Sequence, residues 1–154
     1  MKKFQGFSKK ELLNAYKMML LSRKSDEKQL ILLRQGKVHF HIGGSGHEAA
    51  QVGAVINFKP NHDWAYCYYR DQAFIMGWGM TTEEVFMHSL AKADDPNSGG
   101  RQIPHHWGKK ELRIVSKSSC TGVQFLQAVG TAMGAVKSGS NEVVYVSAGE
   151  GTTS

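Results

Sequence analysis

Val143-Val-Tyr-Val146 and the Gly149-Glu-Gly151 that follows it are the stretch that decides the fold. Four apolar residues in a row are typical of a strand buried in a parallel sheet, and the two glycines mark a tight turn just after it. A helix predicted over residues 124–137 precedes this strand. Open α/β sheets bind their ligands at the carboxyl ends of such strands. The stretch therefore predicts an α/β fold with a ligand site at residues 149–151.

Two capping-box sequences mark the starts of further helices. Ser8-Lys-Lys-Glu11 precedes apolar residues at helical spacing, which predicts a helix from Ser8 to Gly36. Thr81-Thr-Glu-Glu84 predicts a second helix of about three turns, and an irregular loop follows it over residues 94–104. The helix over residues 124–137 is rich in glycine and alanine, although glycine inside a helix costs about 1 kcal/mol. We therefore expect another helix or the sheet to approach that helix closely.

The composition is that of one globular domain. The 154 residues are 41% hydrophobic and 21% charged, which excludes disordered, collagen-like and disulfide-framework chains. The formal net charge of +6 lies entirely in residues 1–40, with ten Lys and Arg against three Asp and Glu, whereas residues 41–154 carry nine against ten. Because no nucleic-acid motif or aromatic platform accompanies these lysines, they indicate a helix that faces solvent or another subunit.

The cysteines and the apolar runs bear on the cellular compartment. Neither Cys67 nor Cys120 stands in a CxxC or Cys/His ligand spacing, which favours a reducing compartment. The first residues contain no apolar signal segment, and no apolar run approaches the roughly 20 residues of a membrane span. We therefore expect a cytoplasmic protein that binds neither membrane nor nucleic acid.

Residues at two predicted strand ends suit a magnesium-bound diphosphate. Glu150 lies between two glycines, and proteins hold Mg²⁺ through one or two carboxylates and the phosphates of the ligand. Tyr69-Arg70 follows the stretch Trp64–Cys67, and arginine is suited to two-pronged phosphate contact. Neither GxGxxG nor GxxxxGK[ST] occurs, so a nicotinamide dinucleotide and a P-loop ligand are not indicated. The alternatives are a simple tight turn and an ordinary surface ion pair between Arg70 and Asp71.

Histidines are concentrated beside the glycine-rich segments. Five of the seven stand at positions 39, 41, 47, 105 and 106. No pair has the HExxH or HxxxH spacing that places two ligands on one helix face, and no thiolate is near in the sequence. A zinc site is therefore disfavoured.

Five motifs occur in the order of a known family. They are Gly46-His-Glu-Ala-Ala-Gln-Val-Gly53, Asp63–Asp71, Asp95–His106, Ser118-Ser119 and Gly149-Glu-Gly151. Over about residues 10–154 the chain resembles the α subunit of the thiamine-diphosphate-dependent E1 component of 2-oxo acid dehydrogenase complexes, most closely the branched-chain (2-oxoisovalerate) type. The resemblance implies a basic helical segment over residues 1–38. Over residues 39–154 it implies the N-terminal part of a thiamine-diphosphate-binding fold, a parallel sheet flanked by helices, truncated after the Gly-Glu-Gly turn.

The resemblance also implies thiamine diphosphate and Mg²⁺ as cofactors and assigns residues to them. Glu150 matches the Mg²⁺ ligand, which is Asp in many relatives and Glu in branched-chain members. The other matches are Gly149 and Gly151 in the cofactor turn, Tyr69 and Arg70 at the diphosphate, Ser119 and Thr121 in a loop that contacts the cofactor, Phe40 and Ile103 in the substrate pocket, and His106 facing the substrate carboxylate. His105 is expected to point elsewhere and to be dispensable.

The reaction implied by the resemblance is oxidative decarboxylation of a 2-oxo acid, with acyl transfer to a lipoyl group on E2. Phe40 and Ile103 fit an apolar, branched substrate tail. Pyruvate and acetoin dehydrogenases are alternatives, as is a non-catalytic subunit-packing module. The implied partners are an E1 β subunit or fused β domain in an α2β2 assembly and the lipoyl domain of E2. Because the β subunit completes the active site in this family, we expect the segment alone to be inactive.

Overall fold

The computed structural model describes residues 6–153. In this range five α-helices accompany two short strands: α1 Lys9–Arg34, α2 Glu48–Val55, β1 Trp64–Tyr66, α3 Gln72–Trp78, α4 Thr82–Ser89, α5 Val123–Lys137 and β2 Val144–Val146. Single 3₁₀ turns lie at Lys110–Leu112 and Glu150–Thr152. No helix in this range combines the length and the apolar character needed to cross a bilayer.

Both predicted capping boxes are present. The Ser8 hydroxyl accepts a hydrogen bond from the backbone of Glu11 at 3.3 Å, and the Glu11 carboxylate accepts one from the backbone of Ser8 at 2.7 Å. Thr81 and Glu84 make the same reciprocal pair at 3.2 and 2.9 Å. Gly36 follows α1 with a φ of +68°, a left-handed conformation that glycine adopts without strain. The predicted starts of α1 and α4 and the predicted end of α1 are therefore confirmed.

The sheet is small and parallel, which confirms the α/β class. Trp64 pairs with Val144 and Tyr66 with Val146. The strand predicted from residues 143–146 is thus parallel as expected, but its expected burial is wrong, because β2 is only half-buried. The physical reason is that β1 is the one strand that pairs with β2 among residues 6–153, so the other edge of β2 is uncovered.

The core lies between the sheet and helices α2 and α3. Phe74 is fully buried and stacks on Tyr145 of β2 with ring centroids 3.9 Å apart. A Cβ on Gly77 would lie 2.5 Å from Val55, so this glycine allows α3 to approach α2 closely. The buried apolar cluster comprises Val55, Ala65, Cys67, Phe74, Ile75, Met76, Trp78, Met80, Val85, Trp107 and Ile114. This packing fixes the strand ends at which the site is formed.

Helix α1 packs through its polar side. Its leucine face is exposed, with Leu13 at 56% and Tyr16 at 61%, whereas its buried residues are Ser22, Ser25, Asp26 and Gln29. The Gln29 amide donates to the Gln72 carbonyl oxygen of α3 at 2.8 Å, and the Gln72 amide donates to the backbone oxygen of Ser22 at 3.0 Å. The hydrogen-bonded side-chain amides of Gln29 and Gln72 therefore attach α1 to the core.

Helix α5 is formed as predicted but lacks the expected close neighbour on its glycine side. A Cβ on Gly130 or Gly134 would meet nothing within 4 Å. The side facing the sheet carries Gln124, Ala128 and Ala135, which are buried. The sheet therefore supplies the expected close approach at Ala128 and Ala135, whereas no atom of residues 6–153 closely approaches Gly130 and Gly134, and an apolar surface is exposed there.

Candidate functional site

The loops that follow β1 and β2 are joined by hydrogen bonds to a buried carboxylate. The backbone of Tyr68 donates to Asp71 at 3.0 Å and to the Ser147 hydroxyl at 2.9 Å, and the Ser147 hydroxyl in turn donates to Asp71. Burial raises the pKa of Asp71, although the bonds from Ser147 and Tyr68 oppose that rise. The carboxyl ends of the two strands are thereby held at one place, as the fold requires for a ligand site.

Gly149 allows the two loops to touch. A Cβ at this position would lie 2.5 Å from the Tyr68 hydroxyl oxygen, so any side chain would displace the tyrosine. The Tyr68 ring lies against Tyr69 with centroids 3.8 Å apart, and its hydroxyl donates to that of Tyr69. A Cβ on Gly151 would meet nothing within 4 Å. Gly149 therefore packs tightly against Tyr68, whereas the space beside Gly151 is open.

Arg70 does not form the surface ion pair that the sequence left open. Its guanidinium donates to the backbone oxygen of Gly43 at 2.9 Å, and among residues 6–153 no carboxylate oxygen lies within 4.0 Å of it. Asp71 is buried and turned towards Ser147 instead. The surface-pair alternative is therefore wrong, and Arg70 keeps its charge available beside Tyr69, whose ring centroid is 5.7 Å away.

The buried carboxylate of Asp26 in α1 fixes residues 43–45, the segment whose backbone accepts the hydrogen bond from Arg70. Asp26 accepts hydrogen bonds from the Ser45 hydroxyl at 2.5 Å and the Gly44 backbone at 3.2 Å, and the His41 imidazole lies 3.0 Å away. Burial alone raises the pKa of Asp26, but these three contacts outweigh it and hold the pKa at about 2. The acceptor of the Arg70 contact, Gly43, lies in this same segment.

His106 and Ser119, two of the predicted site residues, are in contact. Nδ1 of His106 lies 2.6 Å from the backbone oxygen of Ile103, and Nε2 lies 2.8 Å from the Ser119 hydroxyl. Because a carbonyl only accepts, Nδ1 carries the hydrogen, and Nε2 of the neutral ring accepts from Ser119. The structure thus directs Nε2 towards the loop that the sequence assigned to the cofactor.

The loop that carries His106 is built on a buried His–Asp pair. His88 of α4 lies 2.9 Å from Asp95, and both side chains are fully buried. Asp95 also accepts bonds from the backbones of Asn97 and Ser98, and Asn97 accepts one from Gly108 at 3.0 Å. Burial alone raises the pKa of Asp95, but the bonds from Asn97 and His88 outweigh it and lower the pKa. His88 could not be selected from sequence, because no local signal identifies Asp95 as its partner.

His105 points into the core and away from the Ser119 hydroxyl that His106 contacts, as expected, and its surroundings are those of a structural residue. Its dispensability for turnover stays a prediction. His105 is fully buried, with Nδ1 3.0 Å from the backbone oxygen of Ile42 and Nε2 2.8 Å from the Gln29 carbonyl oxygen. Its ring stacks on Trp107 at 4.8 Å between centroids. Burial, with the nearby His41 and His88, lowers the pKa of His105 to about 3.

The other predicted residues are partly or fully exposed. Ser119, Thr121 and Glu150 are exposed. The loop over residues 118–122 touches the turn at Glu150–Thr152, since a Cβ on Gly122 would lie 3.3 Å from Thr152. The two predicted pocket residues, Phe40 and Ile103, are 43% and 54% exposed. Among residues 6–153, no group of three or more His, Cys, Asp and Glu side chains is arranged to hold a metal ion.

Comparison with known proteins places the chain in a family. The model of the dehydrogenase E1 component family matches residues 16–154, and the chain belongs to that family. Three similar proteins are 2-oxoisovalerate dehydrogenase α subunits. That of Bacillus subtilis (strain 168) is 42% identical over 96% of this chain and 45% of its own length. The mitochondrial subunits of Homo sapiens and Mus musculus are 32% and 31% identical over 95% and 94% of this chain, and 32% of each of their own lengths. The chain thus spans less than half of these relatives.

Proposed function

We propose that this chain is the N-terminal part of the E1 α subunit of a branched-chain 2-oxo acid dehydrogenase. That enzyme would decarboxylate a 2-oxo acid oxidatively and transfer the acyl group to a lipoyl group on E2. The observation that carries the proposal is the packing of Gly149 against Tyr68, which brings the Gly149–Gly151 turn beside Tyr69 and Arg70. The named function of the relatives supports the substrate class.

The donor set at this edge fits thiamine diphosphate with Mg²⁺. Arg70 and the Tyr69 hydroxyl suit diphosphate oxygens, Ser119 and Thr121 supply hydroxyls, and Glu150 supplies the carboxylate oxygens that Mg²⁺ prefers. The opening beside Gly151 leaves space for a ligand. When bound, thiamine diphosphate supplies the electron sink for decarboxylation, and the protein supplies binding and orientation.

His106 would act on the substrate in this proposal. Its Nδ1 hydrogen is engaged by Ile103, so Nε2 is the atom that can hold or donate a proton towards the substrate carboxylate. Ser119, 2.8 Å from Nε2, keeps the ring in this orientation. Phe40 and Ile103 would contact the apolar tail of the 2-oxo acid, and both expose enough surface to do so.

Substitution of Arg70 tests the diphosphate assignment. In the full-length chain assembled with its E1 β partner, Arg70→Lys keeps the charge but loses the two-pronged geometry. We expect the affinity for thiamine diphosphate to fall about tenfold or more, measured by calorimetry in the presence of Mg²⁺, while the preference among 2-oxo acids is unchanged. Lys110→Arg, at an exposed turn, is the matched control. A cofactor affinity equal to that of the wild type would remove Arg70 from the site.

We further propose that the exposed face of α5 binds the E1 β subunit within an α2β2 assembly. The relatives are named α subunits, and a subunit so named has a partner. The face is strongly apolar, with Leu126 at 82% exposure and Met133 at 66%, and it is flat at Gly130. Such a patch is typical of a protein interface. We also propose that the lipoyl domain of E2 is a partner of this assembly and that the assembly is located in the cytoplasm.

The variant Gly130→Leu tests assembly with E1 β without disturbing the folding of the α chain. A Cβ at this position would meet nothing within 4 Å outside the adjacent backbone of its own helix, and replacing glycine in a helix stabilises the helix by about 1 kcal/mol. We therefore expect the α chain to fold normally but to fail to assemble with E1 β, as measured by sedimentation. Glu83→Leu, on the exposed side of α4, should assemble normally. Normal assembly of Gly130→Leu would mean that another segment covers the face.

A further inference from the structure

Lys117 is a buried lysine in the loop that leads to α5. Its residue surface is only 5% exposed, although Ser118 to Thr121 beside it are exposed. The backbone of Lys117 donates to Trp107 at 2.9 Å, which fixes the start of its side chain. The ammonium donates to the backbone oxygen of Ser118 at 2.7 Å and lies 5.8 Å from the Tyr69 ring centroid. Lys117 and Arg70 thus both lie beside Tyr69.

The Lys117 ammonium has no acidic partner in the described part of the chain. No carboxylate oxygen lies within 4.0 Å of it among residues 6–153, whereas Lys109, Arg23 and Arg113 are all ion-paired. The charged and titratable groups near it are the Cys120 thiol and the Tyr69 phenol, and the Arg70 guanidinium also lies beside that ring. Burial lowers the pKa of Lys117. A buried cation without a counter-ion is unfavourable unless a ligand supplies the negative charge.

We propose that Lys117 is an anion-binding residue that contacts the diphosphate of the cofactor together with Arg70, since both cations lie beside the Tyr69 ring. This inference rests on the proposed function for the identity of the ligand. The anion would replace the missing counter-ion, so its oxygens would accept from the two ammonium hydrogens that the Ser118 carbonyl does not use. Lys117 would then favour phosphorylated ligands over unphosphorylated ones.

Lys117→Met tests this role in the full-length chain assembled with E1 β. The methionine keeps most of the side-chain volume and removes the unpaired charge, so the ligand-free protein should have an equal or higher Tm than the wild type. We expect the affinity for thiamine diphosphate and for inorganic pyrophosphate to fall about tenfold or more, and that for unphosphorylated thiamine to change little. Lys110→Met, which removes an exposed charge, is the control.

Proton uptake gives a readout that does not depend on activity. A bound anion raises the lowered pKa of Lys117, so binding should take up protons at alkaline pH, measured by calorimetry in buffers of different ionisation enthalpy. The uptake should disappear in Lys117→Met and persist in Cys120→Ser, which removes the neighbouring thiol.

The outcomes separate the inference from the proposed function. If the wild type binds thiamine diphosphate and Lys117→Met binds it equally well, Lys117 is not a ligand and only the inference fails. A lower Tm with unchanged ligand affinity would show that Lys117 merely holds the loop, which also overturns the inference. If the wild type binds pyrophosphate through Lys117 but not thiamine diphosphate, the anion site stands and the proposed cofactor is wrong. An effect confined to the KM for the 2-oxo acid would place the substrate carboxylate at Lys117 and contradict the diphosphate assignment.

Discussion

His106→Ala in the assembled enzyme is expected to lower kcat for the 2-oxo acid about 100-fold, the effect typical of a positioned acid–base or hydrogen-bonding group. The reason is geometric, because Ile103 fixes the hydrogen on Nδ1 and leaves Nε2 directed at Ser119 and the proposed substrate carboxylate. Thiamine diphosphate affinity should change little. Steady-state turnover with lipoylated E2 and calorimetry with the cofactor provide the two measurements.

Two further variants make the His106 result specific. His39→Ala removes an exposed histidine and should keep wild-type turnover. His106→Gln retains a hydrogen-bonding side chain but cannot exchange a proton near neutral pH. Recovery of kcat in His106→Gln would assign the residue to hydrogen bonding alone, whereas continued loss would indicate proton transfer. Wild-type kcat in His106→Ala would remove the residue from the reaction.

His105→Ala should instead destabilise the protein by about 3 to 5 kcal/mol. The change leaves a cavity beside Trp107 and removes the ring that lies within hydrogen-bond distance of the backbone oxygen of Ile42 and the side chain of the fully buried Gln29. Urea unfolding of the full-length chain measures this free energy. His39→Ala should stay within about 0.5 kcal/mol of the wild type. A similarly small effect of His105→Ala would contradict its structural role.

The pH dependence of stability provides a second test of His105. Its pKa is lowered in the folded protein to about 3, whereas the unfolded chain takes up a proton near the ordinary value of about 6.5. Stability should therefore fall as pH decreases from about 6.5 towards 3, by up to about 1.4 kcal/mol per pH unit. His105→Gln should show a shallower loss over this range. Asp26, whose pKa is lowered to about 2, adds a further loss of stability only when the pH falls below the ordinary pKa of a carboxyl group.

The elements that could be predicted from sequence are those with local signals. The capping boxes at Ser8 and Thr81 each satisfy two backbone groups within four residues, so they identify α1 and α4 without any knowledge of the fold. Helices α2 and α3 have no such box. Six of the seven residues of α3 are buried, so it shows no alternation between an apolar and a polar face. Its sequence could not distinguish a short buried helix from a strand.

The buried polar residues that the sequence does not reveal depend on contacts between distant parts of the chain. Gln29 and His105 are 76 positions apart and lie 2.8 Å from each other. Judged only from the residues next to it in the sequence, each would be assigned to the surface, because polar side chains are buried only when they are paired. The proposed site differs, since its candidate residues stand at the ends of strands that the sequence predicts. Tyr69, Arg70 and Glu150 could therefore be selected from sequence, whereas Lys117 could not.

The attachment of Asp26 to residues 43–45 also bears on protein engineering. The contact joins the middle of α1 to the backbone that accepts the hydrogen bond from Arg70, so the N-terminal helix supports the proposed binding site. An expression vector that begins at Val38, or a fusion that replaces α1, would remove this carboxylate together with the Gln29–Gln72 amide pair. The shortened product would lose the scaffold of its own binding edge, so affinity tags belong before Ser8 and not in place of the helix.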